Sequence, residues 1–240
     1  MRIKNFSLRN NYTNIIIIIF FSLIIDNFFI LKINNPPAWD QGYHLSNVFK
    51  MYNVFEDKSI NIFEKFNQLL NITDSYRGPL TYFISALFLK LFNNSYHYAY
   101  LSNQIFNIIS IISIFNLGKL LKNDSTGIWA SIIFTFSTLI LNQRSDYLID
   151  LSLTSFSTLG FLFFTKWYLD KNIFSFYSFL AGISLGLIFL TKPTGIIIFT
   201  FPLILIILKL IKPKYSFTYR FKEFIFFFTA FIVIIFPWFS

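Results

Sequence analysis

The sequence predicts an all-α polytopic membrane bundle. It is read as a single transmembrane domain over residues 1–240, with about seven spanning helices and interfacial helices in its first long loop. Three observations carry this expectation. Hydrophobic residues make up 55% of the chain and charged residues only 13%, with mean hydropathy +0.59; a soluble domain of this size has no interior large enough to hide so much apolar surface. The apolar residues fall in blocks of about twenty, the length that crosses a hydrocarbon core of about 30 Å at about 1.5 Å per residue. The 20 Lys and Arg residues, against 11 Asp and Glu, sit in the junctions between those blocks and form no continuous stripe. That distribution points to membrane topology and away from nucleic acid.

Taken in order, the first span is expected near Asn14–Ile33, preceded by Arg2, Lys4 and Arg9. It is too long, and lacks the small-residue cleavage site, to be a removable signal peptide. Residues 34–97 turn polar and aromatic and form the first loop. Further spans are expected near Tyr98–Leu121, Gly127–Leu141, Asp150–Leu169, Phe174–Leu190, Gly195–Ile211 and Phe224–Phe239.

The segment Pro79–Phe92 is apolar enough to be mistaken for another span. Its residues Leu80, Phe83, Ile84, Leu87, Phe88, Leu91 and Phe92 lie on one helical face, with Thr81, Ser85 and Lys90 off that stripe. A helix of about fourteen residues reaches only about 21 Å, so it is read as lying in the interface, started by Pro79. Charge supports this. With the segment outside the core and the amino terminus in the cytoplasm, the inner side holds Arg2, Lys4, Arg9, Lys119, Lys122, Lys166, Lys171, Lys209, Lys212, Lys214, Arg220 and Lys222, twelve of the 20 basic residues. Only Asp124, Asp170 and Glu223 oppose them there. The expected location is the bacterial inner membrane, multi-pass, with the long first loop extracytoplasmic.

Cysteine is absent and there are 2 histidines, so thiol chemistry and a His-based metal cage are excluded. Carboxylates, Lys, Arg and Tyr must supply any chemistry. In the expected topology Asp40, Asp150 and Lys192 share the outer face. There a carboxylate takes a proton while cations hold phosphate oxygens of a membrane-bound anion. Each also has a plainer reading: Asp40 and Asp150 as helix caps, Lys192 as a lysine snorkelling to head groups. Arg77 either binds phosphate or pairs with Asp74. His44 falls one helical turn after Asp40, a spacing open to a metal or acid–base pair. Asp26, inside the first span, is as well explained by structure as by function.

Pro-Pro-Ala-Trp-Asp40-Gln-Gly-Tyr43, Arg77-Gly-Pro79-Leu80, Arg144 with Asp150-Leu-Ser-Leu153, and Leu190-Thr-Lys192-Pro193-Thr-Gly195 occur in one order. Together they resemble the amino-terminal half of the GT-C membrane glycosyltransferases, in particular the bacterial relatives of protein O-mannosyltransferases and aminoarabinose transferases. The resemblance implies transfer of a sugar from a polyprenyl-phosphate donor to a lipid, glycan or protein acceptor at the extracytoplasmic face. By similarity Asp40 and Asp150 are the catalytic carboxylates, with Asp40 either the general base or the group that orients the acceptor. Lys192 and Arg77 hold the donor phosphate, and Tyr43 and Arg144 complete the substrate-binding set.

The family's first loop often reads Asp-Glu where this chain has Asp40-Gln41. One carboxylate is thereby removed, and the sequence gives a divalent metal no support. The cofactor is left open. Family members usually continue through more spans and often a soluble outer domain, so the chain is expected to lack that carboxy-terminal part. Two rival classes stand beside the transferase: a transporter or flippase, and an inactive remnant that assembles with a partner.

Overall fold

The computed structural model describes residues 8–32, 37, 39–74, 76–92, 95–170, 175–211 and 217–238, with backbone alone at 8–11, 209–211 and 217–220. The flanking cations Arg2, Lys4, Lys171, Lys212 and Lys214, and Asn34, Asn35, Pro36 and Ala38 before Asp40, lie outside the described residues. Among the described residues every regular element is a helix.

Helix α1 (Leu8–Lys32) buries Ile15, Ile18, Ser22, Asp26 and Ile30. These positions, three or four apart, make one narrow stripe. The stripe packs on α5 (Tyr96–Leu121) and α6 (Asp124–Phe136), and Ile16, Ile17, Phe20, Phe21, Ile24 and Phe28 of α1 are exposed. α5 and α6 form a close hairpin. Asn123 caps α6 by accepting the Thr126 N–H at 2.9 Å, and a Cβ on Gly118 would lie 2.7 Å from the Gly127 Cα. Small residues at the crossing let the two backbones meet.

The span expected over Gly127–Leu141 is broken. α6 and α7 (Thr138–Ser145) meet at 56° across Ser137, whose backbone is extended. No Pro or Gly marks the break. Ser137 donates from both N and Oγ to the Phe134 carbonyl, at 3.3 and 3.0 Å. The bend leaves the Thr135 carbonyl open to Arg144, as described below.

The second half of the bundle is α8 (Asp150–Leu169), α9 (Phe176–Thr191), a 3-10 segment Pro193–Phe199, α10 (Thr200–Ile211) and α11 (Phe217–Ile235). α9 lies between α8 and α11. Phe164, Trp167, Phe199 and Phe227 pack ring against ring at centroid distances of 5.1–5.6 Å, Trp167 stacked on Phe227 and Phe164 edge-on to it. Glu223, expected among the charges of an inner loop, is instead buried in α11. It accepts the Trp167 indole N–H at 2.9 Å and the Ser175 N–H at 2.8 Å, pinning α8 and the start of α9 to α11.

By length and composition three described helices can cross a bilayer: Tyr12–Lys32, Tyr96–Leu121 and Phe221–Trp238, with the bent α6–α7 pair as a fourth if it counts as one span. The expected number of seven is therefore not established by length and hydropathy alone. α8 matches its expected limits, but its Ser and Thr residues, turned into the bundle, lower its hydropathy. α9 has 16 residues, and the next expected span opens in a 3-10 segment of 7 residues, Pro193–Phe199.

The long first loop contributes α2 (Trp39–Glu56), α3 (Ile62–Asn71) and α4 (Leu80–Phe92). α4 has 13 residues and reaches about 20 Å. Its apolar stripe is turned outward, with Phe83, Leu87, Leu91 and Phe92 exposed. The polar face packs inward instead. Thr81 bonds Ser152 at 2.6 Å, and Ser85 bonds Ser102 at 2.7 Å and accepts the Tyr147 hydroxyl. The inward-facing hydroxyls are thereby all given partners within the bundle.

Candidate active site

Of the charged residues singled out from sequence, Asp40, Arg77, Asp150 and Lys192 lie where α2–α4 cover one end of the bundle. Asp150 opens α8, where a carboxylate complements the helix dipole. Lys192 follows the last residue of α9 in extended backbone (φ −153°, ψ 107°), the conformation that the following Pro193 favours. Its Nζ lies 3.4 Å from Asp150 Oδ1, and the two side chains are 38% and 43% exposed. Such a pair has modest intrinsic strength and remains open to a ligand.

Arg77 is brought beside Lys192 by its backbone. The Gly78 N–H donates to the Thr191 carbonyl at 3.0 Å, docking the Arg77–Pro79 turn on the end of α9. A Cβ on Gly78 would sit 1.9 Å from the Leu190 carbonyl oxygen, so only glycine fits this approach. Asp74 shapes the turn. Its Oδ1 accepts the N–H groups of Tyr76 and Arg77 at 3.0 and 2.9 Å, and its Oδ2 accepts Arg77 Nη1 at 3.0 Å and the Tyr43 hydroxyl at 2.9 Å. Burial raises the Asp74 pKa, but those hydrogen bonds and the Arg77 charge together outweigh it and hold the carboxyl below its ordinary value. The Arg77 guanidinium lies 4.5 Å above the Tyr43 ring centroid.

Asp40 is exposed in the first turn of α2, and His44, one turn later, is buried. His44 Nδ1 lies 2.6 Å from the Tyr82 hydroxyl of α4. The charges of Arg77, Asp40, Asp150 and Lys192 all act on the imidazole. Burial first, then Arg77 and Lys192 against the opposing pull of Asp40 and Asp150, pushes its pKa down from 6.5 to about 4. Below pH 6.5 the unfolded chain therefore binds a proton that the folded protein refuses. Stability is full above that pH and is lost as pH falls to about 4, by about 3 kcal/mol in all. The melting midpoint in detergent should fall between pH ~7 and ~4.5, and fall less in His44→Gln.

Two expected substrate contacts stand differently. Arg144 does not join the cluster. Its guanidinium, 1% exposed, is enclosed in the bundle and meets Asp26 at 2.5 Å, because the carbonyls of Ser22 and Thr135 converge on it at 2.9 and 2.7 Å. Tyr43 does join, but its hydroxyl is engaged by Asp74 and its ring by Arg77. Sequence reasoning missed Tyr82 as the seat of His44, and the Thr191 carbonyl that brings Arg77 to Lys192. The Arg77-Gly78-Pro79 run was visible, but its docking partner lies over a hundred residues away. Among the described residues no three His, Asp or Glu side chains gather as a cation cage.

An apolar groove of about 200 Å³ adjoins the cluster, lined by Met51, Phe66, Leu69, Leu70, Pro79, Leu80, Phe83, Leu190, Ile234, Pro237 and Trp238. Pro79 and Leu190 are each two positions from a cation of the cluster, Arg77 and Lys192 respectively. The two cations of the cluster thus stand close in the chain to residues that line the apolar groove.

The fold is similar to that of ArnT from Cupriavidus metallidurans, in a crystal structure of its apo state. The TM-score is 0.70 at 14% sequence identity, over 97% of this chain and 42% of that one. The chain thus spans less than half the length of that protein, and the likeness at this identity is one of fold. No curated protein matches the sequence. The family model described as dolichyl-phosphate-mannose-protein mannosyltransferase matches residues 76–240, a stretch that includes Arg77, Asp150 and Lys192. With more than half of its residues covered by that match, this multi-pass membrane protein belongs to the dolichyl-phosphate-mannose-protein mannosyltransferase family.

Proposed function

We propose that the protein transfers a sugar from a polyprenyl-phosphate donor to a hydroxyl-bearing lipid, glycan or protein acceptor at the extracytoplasmic face of the membrane. The observation that carries this reading is the Asp150–Lys192 pair brought together with the Arg77 turn, which docks on Thr191, next to an apolar groove lined by Pro79 and Leu190. A lipid phosphate needs both parts: cations for the phosphate and a dry channel for the chain. The positive-inside distribution of Lys and Arg supports the face of action and a cytoplasmic amino terminus.

In the proposed reaction the acceptor oxygen attacks the anomeric carbon as the bond from that carbon to the phosphate oxygen breaks. The hydroxyl proton passes to a carboxylate, and the departing phosphate keeps the electron pair. Asp40 is assigned the base because it is exposed at the start of α2, whereas one oxygen of Asp150 is engaged by Lys192. Asp150 holds Lys192 toward the donor, and Arg77 and Lys192 take up the charge that grows on the leaving phosphate. Inversion at the anomeric carbon is the outcome expected of this family.

The test uses membranes carrying the full chain and radiolabelled polyprenyl-phosphate mannose. Transfer above control membranes is expected, and Lys192→Met should raise the donor KM about tenfold, the worth of one charge-assisted contact. Absence of transfer by the wild type overturns the reaction, and an unchanged KM removes Lys192 from donor binding.

A further inference from the structure

Tyr43, Asp74 and Arg77 close a ring of contacts that the transfer reaction does not by itself require. The Tyr43 hydroxyl donates to Asp74 Oδ2 at 2.9 Å, the same oxygen accepts Arg77 Nη1 at 3.0 Å, and the guanidinium lies over the Tyr43 ring at 4.5 Å. The remaining Asp74 oxygen is committed to the backbone N–H groups of Tyr76 and Arg77. From the proposed function and this ring of contacts, we infer that Tyr43 and Asp74 are positioning residues: they fix the plane of the Arg77 guanidinium so that it and Lys192 grip one phosphate group of a lipid.

The argument rests on what an unclamped arginine does. A long side chain at a partly exposed turn, 32% exposed here, samples many rotamers, and ordering it on binding weakens the complex. Stacking on Tyr43 removes rotation out of plane, and the single bond to Asp74 removes rotation in plane. Arginine carries five N–H donors in a fixed fork. Asp74 takes one of them, and the rest stay available for phosphate oxygens. Asp74 itself cannot swing away, because its other oxygen shapes the turn that Gly78 docks on Thr191. Tyr43 also sits three residues after Asp40 on α2, so the clamp links the proposed base to the proposed phosphate grip. Lysine at position 77 would lack both the plane and the fork.

The experiment measures binding rather than transfer, so that it can fail separately from the proposed reaction. Purified full-length protein in detergent is titrated with undecaprenyl phosphate, with inorganic phosphate and with phosphatidylglycerol. Wild type is expected to bind undecaprenyl phosphate most tightly. Tyr43→Phe and Asp74→Asn should each weaken that binding about tenfold, roughly one charge-assisted contact, with the melting midpoint nearly unchanged in Tyr43→Phe. Because both act through the same guanidinium, the double variant should bind no worse than Asp74→Asn alone. Arg77→Lys should weaken binding to a similar degree despite its retained charge. If wild type binds undecaprenyl phosphate no better than phosphatidylglycerol or inorganic phosphate, the donor reading itself falls. If wild type binds it selectively but the two single variants bind alike to wild type, or their effects simply add, the clamp is overturned while the donor reading stands.

Discussion

Replacing Arg144 by methionine is expected to destabilise the protein by about 3–5 kcal/mol, enough to abolish its accumulation in folded form. The guanidinium is 1% exposed and Asp26 5% exposed, so deleting the cation leaves a carboxylate with no water and no counter-charge inside the bundle. The loss extends beyond the pair. Arg144 also satisfies the carbonyls of Ser22 in α1 and Thr135 at the end of α6, and Asn107 from α5 reaches both Ser22 and Asp26, at 2.6 and 3.5 Å. Four helices are therefore tied at one point, and the bend between α6 and α7 exists with a carbonyl turned to the guanidinium. The diagnostic companion is the double variant Asp26→Leu with Arg144→Met, which removes both charges. It should recover a large part of the lost stability, since a buried ion pair is worth little over a well-packed apolar pair. Melting midpoints of the three proteins in one detergent decide the matter. A single Arg144→Met protein as stable as wild type would mean that the pair is not what closes α1 onto the bundle.

Arg144 also shows where sequence reading stops. It stands six positions before Asp150, and linear proximity groups the two as one outer motif. The fold separates them. α7 carries Arg144 back into the bundle, toward an aspartate 118 residues earlier. The ends of α8 were legible because Asp150 and the Lys166-to-Asp170 run bracket an apolar block, whereas the break at Ser137 was not, because neither Pro nor Gly marks it. The stability of that break comes from a tertiary donor, the buried Arg144 guanidinium, which bonds the Thr135 carbonyl. The short reach of α4 could be read from its length, yet the inward turn of Thr81, Tyr82 and Ser85 follows only from their partners on α2, α5 and α8. The gathering of Asp40, Asp150 and Lys192 at one end was legible from topology, because each borders an apolar block on the same side. The clamp on Arg77 was half legible: Asp74 lies three residues away, within local reach, but Tyr43 arrives from another helix.

Asp40→Asn is expected to lower kcat for sugar transfer by about 10²–10⁴-fold, the usual contribution of a positioned general base. The donor KM should move by less than about threefold, since an interaction made only as the proton leaves affects kcat and kcat/KM equally. Asparagine keeps the size of the side chain and removes only its basicity. The fold should tolerate the change: Asp40 is exposed in the first turn of α2, while the packing of that helix rests on His44, Leu45, Val48 and Met51. Loss of a negative charge beside His44 removes one of the two influences that raise its pKa. The variant imidazole is therefore still harder to protonate, and stability near neutral pH is unaffected by that route. The pH profile gives the sharper discrimination. With a carboxylate base the wild-type kcat profile has an acid limb, and that limb should be absent from the residual activity of Asp40→Asn. Asp150→Asn should behave differently. Freeing Lys192 from its partner at 3.4 Å disturbs the donor grip, so its effect should appear in KM as well as in kcat. If Asp40→Asn transfers sugar at the wild-type rate while Asp150→Asn alone loses the acid limb, the roles of the two carboxylates are exchanged and Asp150 is the base.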